Sequence, residues 1–281
     1  MSADKAVILA RGLGTRMREA TPGASLTAEQ AAAAERGVKA LIPIPFCPGD
    51  SPREARRPFL DYVLSALADA GWRRACLVVG PEHEALRDYC RRLPARRIHV
   101  ETAIQERPLG TADAVAAAEA FAGGEPFLCV NSDNYSPPEA LRALGEMEGP
   151  GLAAFDADAL LAGGNIPAER LRRFAAVSLT PEGFLHRLIE KPTEEDLARL
   201  RGPRLVSMNC WRLDRTIFDA CRAIGPSPRG ERELTDAVQY SIDRLEAKFR
   251  AVRVAAPVLD LTGRGDVGPV ARLLAGVRVE L

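Results

Sequence analysis

The sequence is short of histidine, of lysine and of long apolar runs, and each shortage closes off a class of function. Its three histidines, His83, His99 and His186, stand apart, and its six cysteines, Cys47, Cys76, Cys90, Cys129, Cys210 and Cys221, include no CxxC pair. That pattern argues against a zinc site or a disulfide framework and for buried thiols in a reducing compartment. No stretch approaches the roughly 18 consecutive apolar residues of a membrane span, so no membrane partner is expected. Met1 to Lys5 leads straight into the short apolar segment Ala6 to Ala10, too brief for the core of a secretion signal. A cytoplasmic chain that opens on a strand is expected. Net charge is missing too: 38 basic residues balance 38 acidic ones, which removes the footprint of a dedicated nucleic-acid-binding protein. Any anionic ligand must be held locally. The basic set is lopsided, with 34 arginines and only four lysines, Lys5, Lys39, Lys191 and Lys248.

What is present is alternation. Short β-rich apolar runs are followed by Ala/Leu/Arg/Glu stretches of helical length, the pattern of a mostly parallel sheet covered by helices. Strands are predicted at Ala6 to Leu9, Ala75 to Val79, Arg97 to Val100, Pro126 to Val130, Gly151 to Phe155, Arg173 to Leu179, near Leu205 to Arg212 and near Phe249 to Ala255. Helices are predicted at Pro58 to Ala70, Pro81 to Arg92, Thr111 to Ala120, Pro138 to Met147, Thr193 to Leu200, Arg215 to Cys221, Glu233 to Leu245 and Val267 to Leu274. Thr21 to Glu35, rich in alanine, reads as an inserted helical lid, and Phe46 to Arg57 as an exposed loop. The 281 residues suit one continuous domain, a doubly wound α/β fold with a mixed, mostly parallel sheet. Its character changes near Pro150, so residues 1–150 read as a nucleotide-binding half and 151–281 as the half that shapes a substrate pocket.

The first strand ends in Gly12-Leu13-Gly14-Thr15-Arg16-Met17, a glycine-rich turn that lets backbone amides approach a phosphate. It is not a dinucleotide fingerprint, because Met17 stands where the third glycine belongs, and it lacks the GK[ST] ending of a P-loop. Further elements follow in order. They are Lys39-Ala40-Leu41-Ile42-Pro43-Ile44, Gln105-Glu106-Arg107-Pro108-Leu109-Gly110-Thr111-Ala112, Asn131-Ser132-Asp133-Asn134, Glu190-Lys191-Pro192, Asn209 and Asp260. In that order and at those intervals the chain resembles the sugar-1-phosphate nucleotidylyltransferase family over nearly its whole length.

The resemblance implies a Rossmann-like nucleotidyltransferase fold and a Mg2+-dependent enzyme that joins a nucleoside triphosphate to a sugar-1-phosphate, releasing pyrophosphate. It assigns Arg16 to the leaving pyrophosphate, Lys39 to the transferring phosphoryl group, and Asp133 with Asp260 to the metal. Leu9, Gly12, Leu13, Gly14, Thr15, Gln105, Gly110 and Thr111 are expected on the nucleotide, with Gln105 reading a pyrimidine edge. Asn134, Glu190, Lys191, Asn209 and Trp211 are expected on the sugar phosphate. Two positions depart from the family pattern: Trp211 stands where a glycine is usual, and Ser132 replaces the glycine before Asp133. Since Asn209 and Trp211 are two apart on a predicted strand, both are expected to face the pocket. The chemistry needs cations more than proton carriers, because the attacking phosphate is already anionic at neutral pH. The same chemistry on a heptose, cyclitol or phospho-alcohol stays open, as does a catalytically silent nucleotide-sugar-binding regulatory protein. One activity is expected for a chain of this length, and the assembly, monomer or homo-oligomer, is left open.

Overall fold

A computed structural model describes residues 3–12, 14–21, 23, 26–45, 56–200 and 202–281. Its strands are β1 (Lys5–Leu9), β2 (Pro43–Pro45), β3 (Arg56–Pro58), β4 (Arg74–Val79), β5 (His99–Ile104), β6 (Phe127–Asn131), β7 (Asn134–Tyr135), β8 (Gly151–Asp156), β9 (Ala176–Leu179), β10 (Leu185–Ile189), β11 (Leu205–Leu213), β12 (Arg250–Val254) and β13 (Leu259–Asp260). Nine of them form one sheet that runs β10-β9-β11-β6-β1-β4-β5, with β8 also paired to β11 and carrying β12. The ladder from β6 through β1 and β4 to β5 is parallel throughout, and β12 is parallel to β8. β11 runs antiparallel to β6, β8 and β9 and joins the two halves of the chain into one sheet.

Strand alternation explains the two-sided core. Ala6 and Ile8 of β1, Ala75, Leu77 and Val79 of β4 and Leu128 and Val130 of β6 face one buried cluster, with helices Phe59–Asp69, Glu84–Arg92, Pro138–Glu146 and Arg264–Leu274. The intervening Val7, Cys76, Val78, Phe127 and Cys129 face the other, with helices Thr111–Ala117, Thr216–Ala223 and Leu234–Leu245. A side-chain period of two on strands buried on both faces requires this doubly wound arrangement. Among the described residues no helix is long and apolar enough to cross a membrane.

Several boundaries differ from the sequence reading. The strand expected at Arg97 to Val100 is displaced forward to His99–Ile104, and the one expected from Arg173 is shortened to Ala176–Leu179 by helix Ala168–Leu171 before it. Residues 46–55 of the expected loop lie outside the described residues, but Arg56–Pro58 pairs antiparallel with Pro43–Pro45 as a short ribbon. The alanine-rich insertion does contain a helix, Ala28–Arg36, with a reciprocal Thr27–Gln30 capping box and Gly37 in the left-handed region at its end. Gln30 Nε2 donates to Pro43 O at 2.9 Å, and Arg18 Nη2 donates to Arg36 O at 3.4 Å.

The largest correction concerns Trp211. It is 0% exposed and belongs to the second core cluster, where its indole packs edge-on against Phe249 with ring centroids 6.4 Å apart. Alternation persists along β11, with Val206, Met208 and Cys210 on the first cluster and Leu205, Trp211 and Leu213 on the second; the expectation failed because the second cluster, not a pocket, covers the Trp211 end of that face. A bulge in β11 adds two residues between the Ser207–Ala154 and Trp211–Leu152 pairs without changing that parity. Asn209 absorbs the excess at φ 53°, a left-handed conformation that asparagine tolerates better than most residues. Asn209 stays half-buried while Trp211, further along the strand, is covered by the second cluster. Among the described residues the Trp211 Nε1 finds no hydrogen-bond partner. Trp211→Ala is expected to lower unfolding free energy by about 3–5 kcal/mol. Trp211→Phe, which removes the unsatisfied N–H while keeping an aromatic ring, is expected to cost under about 1.5 kcal/mol. Denaturant titration of both variants checks this, and equal losses would show that the indole nitrogen matters to the core.

Candidate active site

β1 has β4 on one side and β6 on the other, so the chain turns in opposite directions from its carboxyl end and opens a crevice there. The crevice is a cleft of about 270 Å3. Three strand ends supply its walls: Leu9 to Gly12 after β1, Gln105 to Thr111 after β5, and Asn131 to Asp133 after β6. Gly37, Val38, Lys39 and Ala40, which follow the inserted helix, close the fourth side. The glycine turn holds this side in place. Gly14 has φ 61°, and a β-carbon there would lie 2.1 Å from Gly37 O, so only glycine lets the turn and the end of the insertion touch.

Lys39 Nζ donates to Asp133 Oδ2 at 2.8 Å across this cleft. Asp260 is brought to the same place from the far end of the chain by the antiparallel pairing of β13 with β7, which sets Asp260 opposite Asn134. Leu261 N donates to Asp133 O at 2.8 Å and completes the junction. The Asp260 side chain is 4% exposed, and burial together with the Asp133 charge pushes its pKa up to about 6. Arg170, whose Nε lies 3.4 Å from Asp260 Oδ2, and Thr262, which donates to both carboxylate oxygens, pull the other way. Asn165 spans the Asp260 backbone, accepting from its N–H at 2.9 Å and donating to its carbonyl at 2.8 Å. Arg170 is anchored in turn by Asp266 at 2.8 and 2.9 Å.

The other end of the cleft is built around Gln105. Its Nε2 donates to Gly110 O at 3.0 Å and to Asp113 Oδ2 at 2.8 Å, which uses both amide hydrogens and fixes the orientation of the side chain. Oε1 is left without a partner among the described residues. Gly110 has φ 117°, and a β-carbon there would sit 2.4 Å from Arg232 O, so the loop presses directly on a second-half segment. Arg232 N donates to Leu109 O at 2.7 Å, Ala112 N donates to Arg232 O at 2.9 Å, and Leu234 N donates to Thr111 Oγ1 at 2.8 Å.

Leu9, Gly12, Lys39, Gln105, Gly110, Thr111 and Asp133 thus line one cleft, and Asp260 adjoins it. Other expected residues fall elsewhere. Leu13 lies outside the described residues. Thr15 and Arg16 are exposed on helix Thr15–Arg18. Asn134 is buried, its Nδ2 3.4 Å from Asp260 Oδ1, so it braces the carboxylate. Glu190 and Lys191 are exposed just past β10, with Glu190 hydrogen-bonded to Thr235, and Asn209 is half-buried in the β11 bulge. Trp211 is in the core. Sequence reasoning missed Arg11 and Glu231, which line the cleft, and the bracing set Asn165, Arg170 and Asp266. Nothing in their local spacing marks them, because each finds its partner through the fold.

A family model described as nucleotidyl transferase matches residues 52–275, and the chain belongs to that family. The match begins after the glycine turn and Lys39. Over 241 residues the chain is 31% identical to a glucose-1-phosphate thymidylyltransferase of Streptomyces griseus, covering 85% of this chain and 57% of that protein. Over 281 residues it is 28% identical to the bifunctional protein GlmU of Rhodospirillum rubrum, covering 98% of this chain and 54% of that protein. The chain spans about half the length of the curated relatives it matches. The fold is that of a UDP-glucose pyrophosphorylase crystallised with UDP-glucose, with a TM-score of 0.72, 17% identity, and coverage of 98% of this chain and 100% of that one.

The electrostatics of Asp260 have a measurable sign. A carboxyl whose folded pKa lies above its unfolded value holds its proton more tightly when folded, so stability is lost as pH rises from about 4 through 6. Asp260→Asn removes that loss. Between pH 4 and pH 7.5, in chelator-treated buffer, the variant is expected to gain about 2–3 kcal/mol relative to the parent protein. Paired denaturant titrations at the two pH values check this, and a constant difference would mean that Asp260 titrates like an exposed aspartate.

Proposed function

We propose that this chain is a nucleotidyltransferase that condenses a nucleoside triphosphate with a sugar-1-phosphate to give a nucleotide-activated sugar and pyrophosphate. The observation that carries the reading is the meeting of Lys39, Asp133 and Asp260 at the mouth of a cleft whose other end presents Gln105. In the reaction an oxygen of the sugar phosphate attacks the α-phosphorus, and the bond from that phosphorus to the bridging oxygen of the β-phosphate breaks. The attacking group is already ionised, so no general base is required, and no histidine lines the cleft among the described residues.

The cations do the work. Lys39, a compact point charge, suits a non-bridging oxygen of the transferring phosphoryl group, and Arg16 suits the departing pyrophosphate. Asp133 and Asp260 fit Mg2+: they are hard oxygen donors, and burial first and the Asp133 charge second raise the Asp260 pKa, both of which a bound divalent cation would offset. Among the described residues no group of three or more His, Cys, Asp or Glu side chains gathers to hold a metal, so phosphate oxygens and water would complete the shell. When bound, the ion supplies charge neutralisation between the two phosphates. Residues 1–150 hold the triphosphate and residues 151–281 the acceptor, with Glu190, Lys191 and Asn209 on the acceptor side. A pyrimidine is favoured: the free group of the Gln105 side chain, Oε1, is an acceptor and complements a base donor, the imide N–H of uracil or thymine or the amino group of cytosine.

Pyrophosphate release from a matrix of nucleoside triphosphates and sugar-1-phosphates, including heptose and cyclitol phosphates, tests the reading. Turnover of one pairing is expected. Binding of nucleotide sugars with no release under any pairing would instead support a silent regulatory protein. Lys39→Ala is expected to lower kcat by about 100-fold or more with the fold intact, because it removes charge stabilisation at the transition state. An unchanged kcat would remove Lys39 from the mechanism.

A further inference from the structure

Arg11 is the residue between the end of β1 and the glycine turn, and its side chain is only 7% exposed. A guanidinium stays charged at any ordinary pH, so near-burial is tolerable only where partners fix it. Nε donates to Glu82 Oε1 at 3.2 Å and Nη2 to Glu82 Oε2 at 3.3 Å, two parallel contacts that set the plane of the group. Nη1 donates to the backbone carbonyl of Gln105. One side chain therefore ties together the segments that follow β1, β4 and β5, and both Arg11 and Gln105 line the cleft.

We propose that Arg11 is a positioning residue for base selection, holding Gln105 at the place where its Oε1 reads the nucleobase. This deepens the function proposed above and rests on it. Gln105 is gripped from three directions. Its N–H donates to Val79 O at 2.9 Å, its Nε2 is spent on Gly110 and Asp113, and its carbonyl is held by Arg11. Of these holds only the one from Arg11 ties Gln105 to the turn that follows β1. Hydrogen-bond readout fails over a few tenths of an ångström, so loosening that hold blurs the distinction between bases. Among the described residues Arg11 makes no hydrogen bond or ion pair with Lys39, Asp133 or Asp260, which separates its effect from the chemical step.

The test compares the parent protein with Arg11→Ala, Arg11→Lys, Gln105→Ala and the Arg11→Ala/Gln105→Ala double variant. Calorimetric binding of UTP, dTTP, CTP and ATP is measured beside pyrophosphate release. Arg11→Ala is expected to reduce the preference between best and worst base by about tenfold and to raise the nucleotide KM to a similar extent, as for loss of a charge-assisted hydrogen bond. The acceptor KM should hold, and kcat should change less. Arg11→Lys, which keeps the charge but not the fork, should resemble Arg11→Ala. In the Gln105→Ala background, loss of Arg11 should add nothing further, because both act through one oxygen. Should Arg11→Ala fold poorly, Glu82→Ala frees the guanidinium from a side chain that is 49% exposed and is expected to lose a smaller part of the preference. Parental base preference in Arg11→Ala or Glu82→Ala, or additive losses in the double variant, would overturn the role of Arg11 alone. A parent protein that binds none of the four triphosphates would overturn the proposed function, and this proposal with it.

Discussion

The repulsion between two carboxylates organises this molecule. Asp133 and Asp260 come from opposite halves of the chain and are held together by the two-residue pairing of β7 with β13. Left alone, such a pair would push apart or take up a proton. The protein answers with cations placed on opposite sides: Lys39 on Asp133, and Arg170, itself anchored by Asp266, beside Asp260. Burial first, and the Asp133 charge second, still hold the Asp260 pKa above the usual carboxylate range despite Arg170 and Thr262. A site left short of positive charge, in a cleft open to solvent, is prepared for a ligand that brings its own cation.

The remainder of the fold serves to deliver those groups to one point. Parallel strands β5, β4, β1 and β6 end together, which is why three separate loops share a cleft. Close backbone approaches set the positions of the loops. Gly14 against Gly37 seats the insertion beside the glycine turn, and Gly110 against Arg232 seats the loop that follows β5 on the second half. Side chains at either position would pry the walls apart, so the cleft depends on atoms that are absent from these residues as much as on those present.

The alternation of the sheet, most helices and the cleft residues Lys39, Gln105, Gly110 and Asp133 were legible because each announces itself locally, by period or by a short motif. The sequence reading stopped where partners meet through the fold. Asp61 and Tyr89, or Arg11 and Glu82, form contacts at 2.6 Å and 3.2 Å between segments that carry no mutual signal in the sequence. Trp211 was misplaced for a different reason: the period holds along β11, but period alone does not say which part of a strand face is covered by helices and which is open, and the Trp211 end is covered by the second cluster. Asn134 stands next to Asp133, which lines the cleft, yet turns to brace Asp260, which no count of spacing distinguishes from facing the cleft.

The scarcity of lysine acquires a physical meaning in this setting. Arginine supplies the fixed braces: Arg11 on Glu82 and Gln105, Arg170 on Asp266, and Arg212 on the carbonyls of Leu144, Gly145 and Gly149, each making several directed bonds at once. A fork held at three points does not let go easily, which suits positioning and ill suits a group that must follow moving charge. Lysine is a compact charge on a flexible stem, with donors that rotate together rather than a rigid fork. Lys5 uses it structurally, buried against Ala122 O and Glu125 beneath the Phe121 ring. Lys39 makes its contact at the cleft, where an ammonium bonded to one carboxylate oxygen can exchange that partner for a phosphate oxygen without dismantling anything else. On the proposed reaction Arg11, Arg170 and Arg212 are therefore braces that stay in place, whereas Lys39 is a cation that exchanges its carboxylate partner for a phosphate oxygen.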